Sequence, residues 1–405
     1  MKTPRSFLPL LAMVLAAPTL MHSQPNLDQQ LRAAIERKDV PGLVVIAGDR
    51  TGVLYQGAFG MAEAGAGRAM TADAIFRIAS MTKAVTAVAA VQLIEAGKLA
   101  LDDRADKYLP ELANLPVFES FDAATGTYKL RPAASPITVR QLFTHASGLG
   151  YGFTSETLAK FKPRDGETYP VGPLLFDPGT AWIYGTSTDQ LGKIVEKLSG
   201  QNLEAYFRAH IFAPLGMNDT SYNIPAEKLA RLVNNSRRGA DGTGPLAEQP
   251  RTTPNTATRF NGGGGLYSTA GDYLRFLQML LNGGELGGKR VLSRESVALM
   301  GQNHIGAVGV RAVKSTQPDR SSDFTFVDDG KDKWGLGFQI TTAAVAGKRS
   351  PGSLSWGGIN NTFFWVDPAR GVAGVIMMQF LPFADAKALG VYDTFERGVY
   401  RMIAK

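Results

Sequence analysis

One stretch, Phe76 to Leu101, constrains the fold of this chain more than any other. It reads FRIASMTKAVTAVAAVQLIEAGKLAL, and a run of Val, Ala, Leu and Ile makes it apolar on almost every side. A helix that is apolar all round is buried in the interior of a protein. The stretch therefore predicts a core helix that begins close to Ser80 and ends near Gly97.

Ser80 and Lys83 form a Ser-x-x-Lys pattern at the start of this helix. Helix positions three apart share a face, so the Lys83 amine comes within reach of the Ser80 hydroxyl. A serine is a weak nucleophile until a base accepts its proton, and burial can lower the pKa of a lysine enough for it to help. The alternative is a helix cap followed by an exposed lysine. We predict catalysis, because the helix offers Lys83 little solvated surface.

Composition narrows the class of protein. The chain has 405 residues, no cysteine, four histidines and a formal net charge of +7. Disulfides and thiol chemistry are excluded, and no histidine pair has the spacing of a helical metal site, so we expect no metal and no cofactor. The basic residues are scattered, which favours a solvated surface over nucleic-acid binding.

The N-terminus has the pattern of a secretory signal peptide. Lys2 and Arg5 precede an apolar run from Phe7 to Ala17, and small residues follow. The run is too short to span a membrane, so we predict that residues 1–23 are a signal peptide. We expect an exported protein, periplasmic or secreted, with no stable membrane span once the signal is removed.

Strand-like patterns lie at both ends of the chain. Gly42–Gly48 and Thr51–Gly60 predict a hairpin near the N-terminus. Near the C-terminus the predicted strands are Gly335–Ala344, Ser353–Trp356, Thr362–Val366 and Val372–Gln379. We predict an α+β fold in which one antiparallel sheet, built from both chain ends, is flanked by helices. Residues 24–104 and 266–405 would form the sheet domain and residues 105–265 a mainly helical lobe, with a cleft between them.

Two irregular segments carry no strand or helix pattern. The run Asn261–Gly265 is not followed by Lys-Ser/Thr and no strong strand precedes it, so a phosphate-binding loop is disfavoured. We predict a tight backbone approach beside a cleft instead. Residues 302–333 predict a mobile, polar insertion.

The tetrapeptide SMTK at residues 80–83, one helix after an N-terminal strand pair, resembles the nucleophile motif of the serine β-lactamase and penicillin-binding-protein superfamily. Tyr184-Gly185-Thr186 resembles the Tyr-x-Asn element of its class C branch and of family VIII carboxylesterases. The resemblance covers about residues 26 to 400 and includes the segment His145–Leu149. It implies a β-lactamase-like fold with Ser80, Lys83 and Tyr184 as catalytic residues, and a loop role for His145.

Two departures separate the chain from the superfamily pattern. Thr186 replaces the asparagine, and Trp356-Gly357-Gly358 stands where Lys-Thr-Gly is expected on a sheet strand. The latter is similar to the Trp-x-Gly of family VIII esterases. A lysine would meet a β-lactam carboxylate, whereas a tryptophan offers an apolar face and one N–H donor, so the resemblance implies neutral esters. The substrate-binding residues that it implies are Trp356, Gly357, Gly358, Ile359 and Thr186.

These observations together predict a serine hydrolase that cleaves small carboxylic esters through an acyl-enzyme on Ser80. Tyr184, its pKa lowered by Lys83, and Lys83 itself would share the role of base, and the backbone N–H groups of Ser80 and Ile359 would hold the oxyanion. Alternatives on the same site are a β-lactamase, a D-alanyl-D-alanine or D-amino-acid peptidase, or an acyltransferase. A catalytically inactive binding module is a further alternative, which the intact motif residues disfavour. The expected partner is a small-molecule ester or amide.

Overall fold

The computed structural model describes residues 25–239, 244–325 and 330–404, and the predicted signal peptide lies outside these ranges. The α-helices are α1 (Pro25–Glu36), α2 (Thr82–Glu95), α3 (Val139–Thr144), α4 (Glu156–Lys160), α5 (Ser187–Ser199), α6 (Leu203–Phe207), α7 (Ala213–Leu215), α8 (Ala270–Leu281), α9 (Arg294–Met300) and α10 (Ala386–Ile403). The strands are β1 (Gly42–Asp49), β2 (Val53–Glu63), β3 (Arg68–Ala69), β4 (Phe76–Arg77), β5 (Pro116–Phe121), β6 (Tyr128–Pro132), β7 (Ser236–Arg238), β8 (Leu246–Glu248), β9 (Tyr267–Ser268), β10 (Glu285–Leu286), β11 (Lys289–Arg290), β12 (Lys333–Trp334), β13 (Gln339–Ile340), β14 (Leu354–Gly358), β15 (Thr362–Asp367), β16 (Val372–Met377) and β17 (Phe380–Leu381).

One eight-stranded antiparallel sheet organises the fold. Its strand order is β12-β13-β14-β15-β16-β1-β2-β3. At its centre β1 pairs with β16, with Val45 opposite Ile376, so strands from the two ends of the chain are neighbours. The prediction of a single sheet assembled from both chain ends, flanked by helices, is confirmed.

The central strands are buried on both faces. All residues of β15 and β16 are buried, as are all but the last residue of β1. Helix α8 packs against β1, β15 and β16, while α1 packs on α10 and β2, and α10 contacts β16. Strands covered on both faces carry continuous apolar runs instead of an alternating pattern, which is why these segments are Val-, Ile- and Phe-rich.

Helix α2 is the core helix that the sequence predicted. From Thr82 to Val91 every residue is buried, and the helix packs against α5 and α6. It ends at Glu95, and Gly97 follows with a φ of +67°, a left-handed conformation that suits glycine at a helix C-terminus. Among the described residues, no helix combines the length and the apolarity needed to cross a bilayer.

The predicted strand over Gly335–Ala344 is wrong in extent. Only Gln339 and Ile340 belong to a strand, β13. A Cβ atom on Gly335 would lie 2.1 Å from the carbonyl oxygen of Met300, so the chain turns closely past the end of α9 at this point. The described part of the segment 302–333 adds two single bridges, Val313 to Phe324 and Ser321 to Phe383. The limits of the helical lobe, residues 105 and 265, stay a prediction.

Candidate active site

Ser80 lies on a sharp backbone turn just before α2. It is the middle residue of the 3₁₀ turn Ala79–Met81, and Ala79 has a φ of +45°. This left-handed conformation costs a residue with a side chain about 1–2 kcal/mol. A Cβ atom on Gly358 would lie 2.2 Å from the carbonyl oxygen of Ile78, so the end of β14 presses against the turn. The packing around the turn thus constrains the backbone that carries Ser80.

Lys83 is buried, and its ammonium group has an acceptor for each of its three N–H bonds. The Nζ atom lies 3.3 Å from Ser80 Oγ, 3.2 Å from Tyr151 Oη and 2.6 Å from the carbonyl oxygen of Gly263. A charged lysine has three donors and no acceptor, so this environment matches the protonated form. The structure therefore places the lysine amine at the serine hydroxyl, as the spacing of the motif indicates.

The charge state of Lys83 differs from the sequence-based expectation. Burial on its own lowers the pKa of Lys83, but the phenolic oxygens of Tyr151 and Tyr184 and the carboxylate of Asp189 outweigh burial and raise that pKa above its usual value. Burial also raises the pKa of Tyr151, although Lys83 opposes this. The expectation of a lowered Lys83 pKa is therefore wrong for the free protein, because acceptors surround the amine.

Tyr184 lies between Lys83 and the sheet. Lys83 Nζ is 4.8 Å from the centroid of the Tyr184 ring, and Trp356 Nε1 donates a hydrogen bond to Tyr184 Oη at 3.4 Å. The Tyr184 and Trp356 rings have centroids 4.9 Å apart. The adjacent Gly185 leaves no room for a side chain, since a Cβ atom there would lie 1.9 Å from the carbonyl oxygen of Leu149. The phenol is thus held in place from both sides.

His145 contacts the Tyr184 segment and supports its backbone. Its Nδ1 accepts a hydrogen bond from the Gly185 N–H at 3.4 Å, and its ring centroid is 5.0 Å from that of Tyr184. Burial, and secondarily the charge of Lys83, lowers the pKa of His145 well below its usual value. A neutral imidazole packed among aromatic rings fits the loop role that the resemblance implies.

A cavity of about 260 Å³ brings the predicted site residues together. The predicted residues in its lining are Ser80, Tyr184, Trp356, Gly357 and Ile359. Lys83 lies behind Ser80, Gly358 lies behind the lining against Ile78, and Thr186 lies at the N-cap of α5, outside the lining. The two predicted oxyanion donors, the backbone N–H groups of Ser80 and Ile359, therefore belong to residues that face one cavity.

Sequence reasoning did not connect three members of the site with Lys83. Tyr151, Gly263 and Asp189 all act on Lys83, directly or through the backbone. Asp189 Oδ1 accepts a hydrogen bond from the Gly263 N–H at 2.8 Å, and a Cβ atom on Gly263 would lie 2.6 Å from the same oxygen. This is the tight backbone approach predicted for the run Asn261–Gly265. The only signal for Tyr151 was its position just after the segment His145–Leu149.

The model of the family described as Beta-lactamase matches residues 27–394 of this chain. The chain belongs to the beta-lactamase family. This confirms the superfamily that the motifs indicated, and the antiparallel sheet with its flanking helices is the beta-lactamase-like fold. Proteins similar to this chain include both an acyltransferase and an esterase.

Two curated relatives of this beta-lactamase family member are similar over nearly their whole length. Monacolin J acid methylbutanoyltransferase from Aspergillus terreus is 31% identical, over 92% of this chain and 95% of its own. Lovastatin esterase from Penicillium rubens is 32% identical, over 93% of this chain and 98% of its own. The unliganded structure of simvastatin synthase from Aspergillus terreus is similar with a TM-score of 0.78 and 28% identity, covering 93% of this chain and 97% of that chain.

Proposed function

We propose that this protein is a serine hydrolase that cleaves small carboxylic esters through an acyl-enzyme on Ser80, as family VIII carboxylesterases do. The observation that carries the proposal is the 3.3 Å contact between Lys83 Nζ and Ser80 Oγ at the wall of an aromatic cavity. The relationship to a lovastatin esterase supports ester cleavage.

The first half of the reaction forms the acyl-enzyme. Ser80 Oγ attacks the ester carbonyl, and its proton passes to the Lys83–Tyr184 pair. Because Lys83 is charged at rest, the reactive form of the pair has lost one proton and is an ammonium beside a phenolate, or an amine beside a phenol. The backbone N–H groups of Ser80 and Ile359 stabilise the oxyanion. The C–O bond then breaks, and the alcohol leaves with the proton that the pair returns.

The second half releases the acid. Water gives a proton to the same pair and attacks the acyl carbon, and the regenerated Ser80 hydroxyl recovers that proton as the acid leaves. An alcohol can take the place of the water, and the product is then a new ester. The relationship to a methylbutanoyltransferase favours this acyl transfer as the second candidate function.

The cavity supports short, neutral acyl groups next to Ser80. Trp356 stands where a lysine would bind a lactam carboxylate, and its indole N–H already donates to Tyr184. The cavity volume of about 260 Å³ is slightly below the range of typical ligand pockets, about 300–1,000 Å³. These features disfavour strong β-lactamase activity.

The decisive experiment is hydrolysis of p-nitrophenyl acetate, butyrate and octanoate beside nitrocefin. We expect ester turnover that falls on the order of a thousandfold or more in Ser80→Ala, with little nitrocefin cleavage. Ser120→Ala, an exposed serine on β5, is the matched control and should keep the wild-type rate. Near-full activity in Ser80→Ala would contradict the proposal. Dominant nitrocefin cleavage would favour the β-lactamase alternative, and a butyl ester formed with added butanol would favour acyl transfer.

We also propose that the protein is exported, periplasmic or secreted, after removal of residues 1–23. The support is the Lys2 and Arg5 pair followed by the apolar run from Phe7 to Ala17. N-terminal sequencing of protein from an exporting host should find a start near Gln24. An intact Met1 or Lys2 would contradict export by this signal.

A further inference from the structure

A guanidinium group lies at the mouth of the cavity that contains Ser80. Arg320 is exposed to solvent, yet it lines this cavity. Its Cζ atom lies 5.0 Å from the centroid of the Phe153 ring. Phe153 stacks on Tyr151, whose hydroxyl contacts Lys83. A row of side chains in contact therefore leads from the lysine of the motif to Arg320.

The backbone holds Arg320 against the cavity wall. Its N–H donates to the carbonyl oxygen of Gln317 at 2.9 Å, and its own carbonyl oxygen accepts from the Phe383 N–H at 3.0 Å. Phe383 also lines the cavity, and its carbonyl oxygen accepts from the Ser322 N–H at 2.9 Å. The backbone position of Arg320 is thus fixed, and only its long side chain has freedom to adjust to a ligand.

The charge of Arg320 has no acidic partner among the described residues. Its neighbour in sequence, Asp319, pairs with Arg237 at 2.9 Å. Asp189, the carboxylate in the described cavity lining, accepts the Gly263 N–H beside Lys83. A guanidinium presents N–H groups in a planar fork that matches the two oxygens of a carboxylate. Arg320 therefore offers an unused carboxylate-binding group next to the reaction site.

We propose that Arg320 binds a carboxylate of the substrate, so that the enzyme prefers esters that carry a negative charge at the cavity mouth. This inference rests on the proposed ester hydrolysis and names its substrate class. The apolar ring of Trp356 favours an uncharged group on the part of the substrate that lies beside Ser80. Arg320 supplies a positive charge farther out in the cavity. The carboxylate can lie on the far end of the acyl chain or on the alcohol, and the experiment distinguishes the two.

The test compares charged and neutral esters in the wild type and in Arg320→Gln. p-Nitrophenyl hemiglutarate against p-nitrophenyl butyrate tests a charge on the acyl chain, and 4-butyryloxybenzoate against phenyl butyrate tests a charge on the alcohol. We expect Arg320→Gln to lower the charged-to-neutral ratio of kcat/KM about tenfold for one of the two pairs. Intrinsic ester reactivity cancels, because each ratio is compared between enzymes.

Arg370→Gln is the matched control. Arg370 is also exposed and lies in the turn between β15 and β16, beyond Asp367 and away from the Thr362 end that faces Gly358. Both variants lose one positive charge, so a difference between them reports the position of Arg320 and not the net charge. Raising the salt concentration should also lower the ratio in the wild type and in Arg370→Gln, but not in Arg320→Gln.

A binding measurement separates this inference from the proposed function. Calorimetry with 4-butyramidobenzoate, an amide counterpart of the charged ester, should show about tenfold weaker binding to Arg320→Gln, with no such change for its neutral methyl ester. Unchanged ratios and unchanged binding, with ester turnover that depends on Ser80, would overturn the role of Arg320 and leave ester hydrolysis standing. An absence of all ester turnover would overturn the proposed function, and calorimetry would then decide the role of Arg320.

Discussion

Trp356 Nε1 donates a hydrogen bond to Tyr184 Oη at 3.4 Å, across 172 positions of the sequence. The bond joins β14 of the sheet to the segment that precedes α5. On its other side the Tyr184 ring faces Lys83 Nζ, 4.8 Å from the ring centroid. Trp356 thus contacts Tyr184 through its indole N–H as well as through its ring, and both contacts hold the phenol in one orientation.

Trp356→Phe should lower kcat/KM for p-nitrophenyl butyrate about fivefold to tenfold. The variant keeps an aromatic wall but loses the donor to Tyr184, and one such hydrogen bond contributes about 1 kcal/mol. Trp182→Phe is the control, since the Trp182 indole N–H is buried without a partner among the described residues and Trp182 does not line the cavity. An equal loss in both variants would attribute the effect to lost ring volume.

Tyr184→Phe and Tyr151→Phe should differ in the size of their effect. Removing the group that transfers the proton costs on the order of a hundredfold or more, which we expect for Tyr184→Phe. Tyr151→Phe should cost about tenfold, because Tyr151 is an acceptor for Lys83 and burial keeps its phenol protonated. Steady-state kinetics on both variants checks the order, and the reverse order would assign the proton transfer to Tyr151.

The pH dependence of kcat/KM should show a rising limb that continues into the alkaline range. The reactive Lys83–Tyr184 pair must lose a proton, and the raised pKa of Lys83 makes that form scarce at neutral pH, so the rate rises as pH increases. No inflection is expected near the ordinary histidine pKa of 6.5, because burial holds the pKa of His145 well below it. The profile of His145→Asn should therefore keep the shape of the wild-type profile. An inflection near neutral pH that disappears in this variant would make His145 the base.

Gly358→Ala should reduce both activity and thermal stability. Its Cβ atom would lie 2.2 Å from the carbonyl oxygen of Ile78, so β14 or the Ser80 turn must shift, and a shift of this kind at a reaction site can cost about a hundredfold in rate. Gly390→Ala in α10 is the control with the opposite sign. No atom outside the backbone of its own helix lies within 4 Å of its added Cβ, and alanine in a helix is about 1 kcal/mol more favourable than glycine. Melting temperatures and kcat/KM of both variants check this, and a Gly358→Ala enzyme with wild-type values would show that the contact is not essential.

Local patterns in the sequence were sufficient to predict the main helices and strands and the contact between Ser80 and Lys83. The three-residue spacing of Ser80 and Lys83 predicted their contact, because this contact depends on the geometry of a single helical turn. Helix α3 begins with a capping box at Thr138, and α5 ends at Gly200 in a left-handed conformation; both features depend only on residues within one helical turn. The apolar runs of β1, β15 and β16 predicted strands that must be buried on both faces, and with them a sheet built from both ends. Where glycines interrupt the pattern, as at Gly335, the predicted strand was too long.

Only the tertiary structure decided which groups surround Lys83 and the cavity. Tyr151 and Gly263 reach its amine from 68 and 180 positions away. Tyr151, Tyr184 and Asp189 together outweigh the effect of burial on its pKa. Arg320 is held at the cavity mouth because its backbone carbonyl oxygen accepts a hydrogen bond from the Phe383 N–H. The sequence determined the pairing of Ser80 with Lys83 and the buried helix, since each depends on residues within one or two turns. The charge of the lysine and the position of Arg320 depend on contacts between distant segments, which form only when the chain is folded.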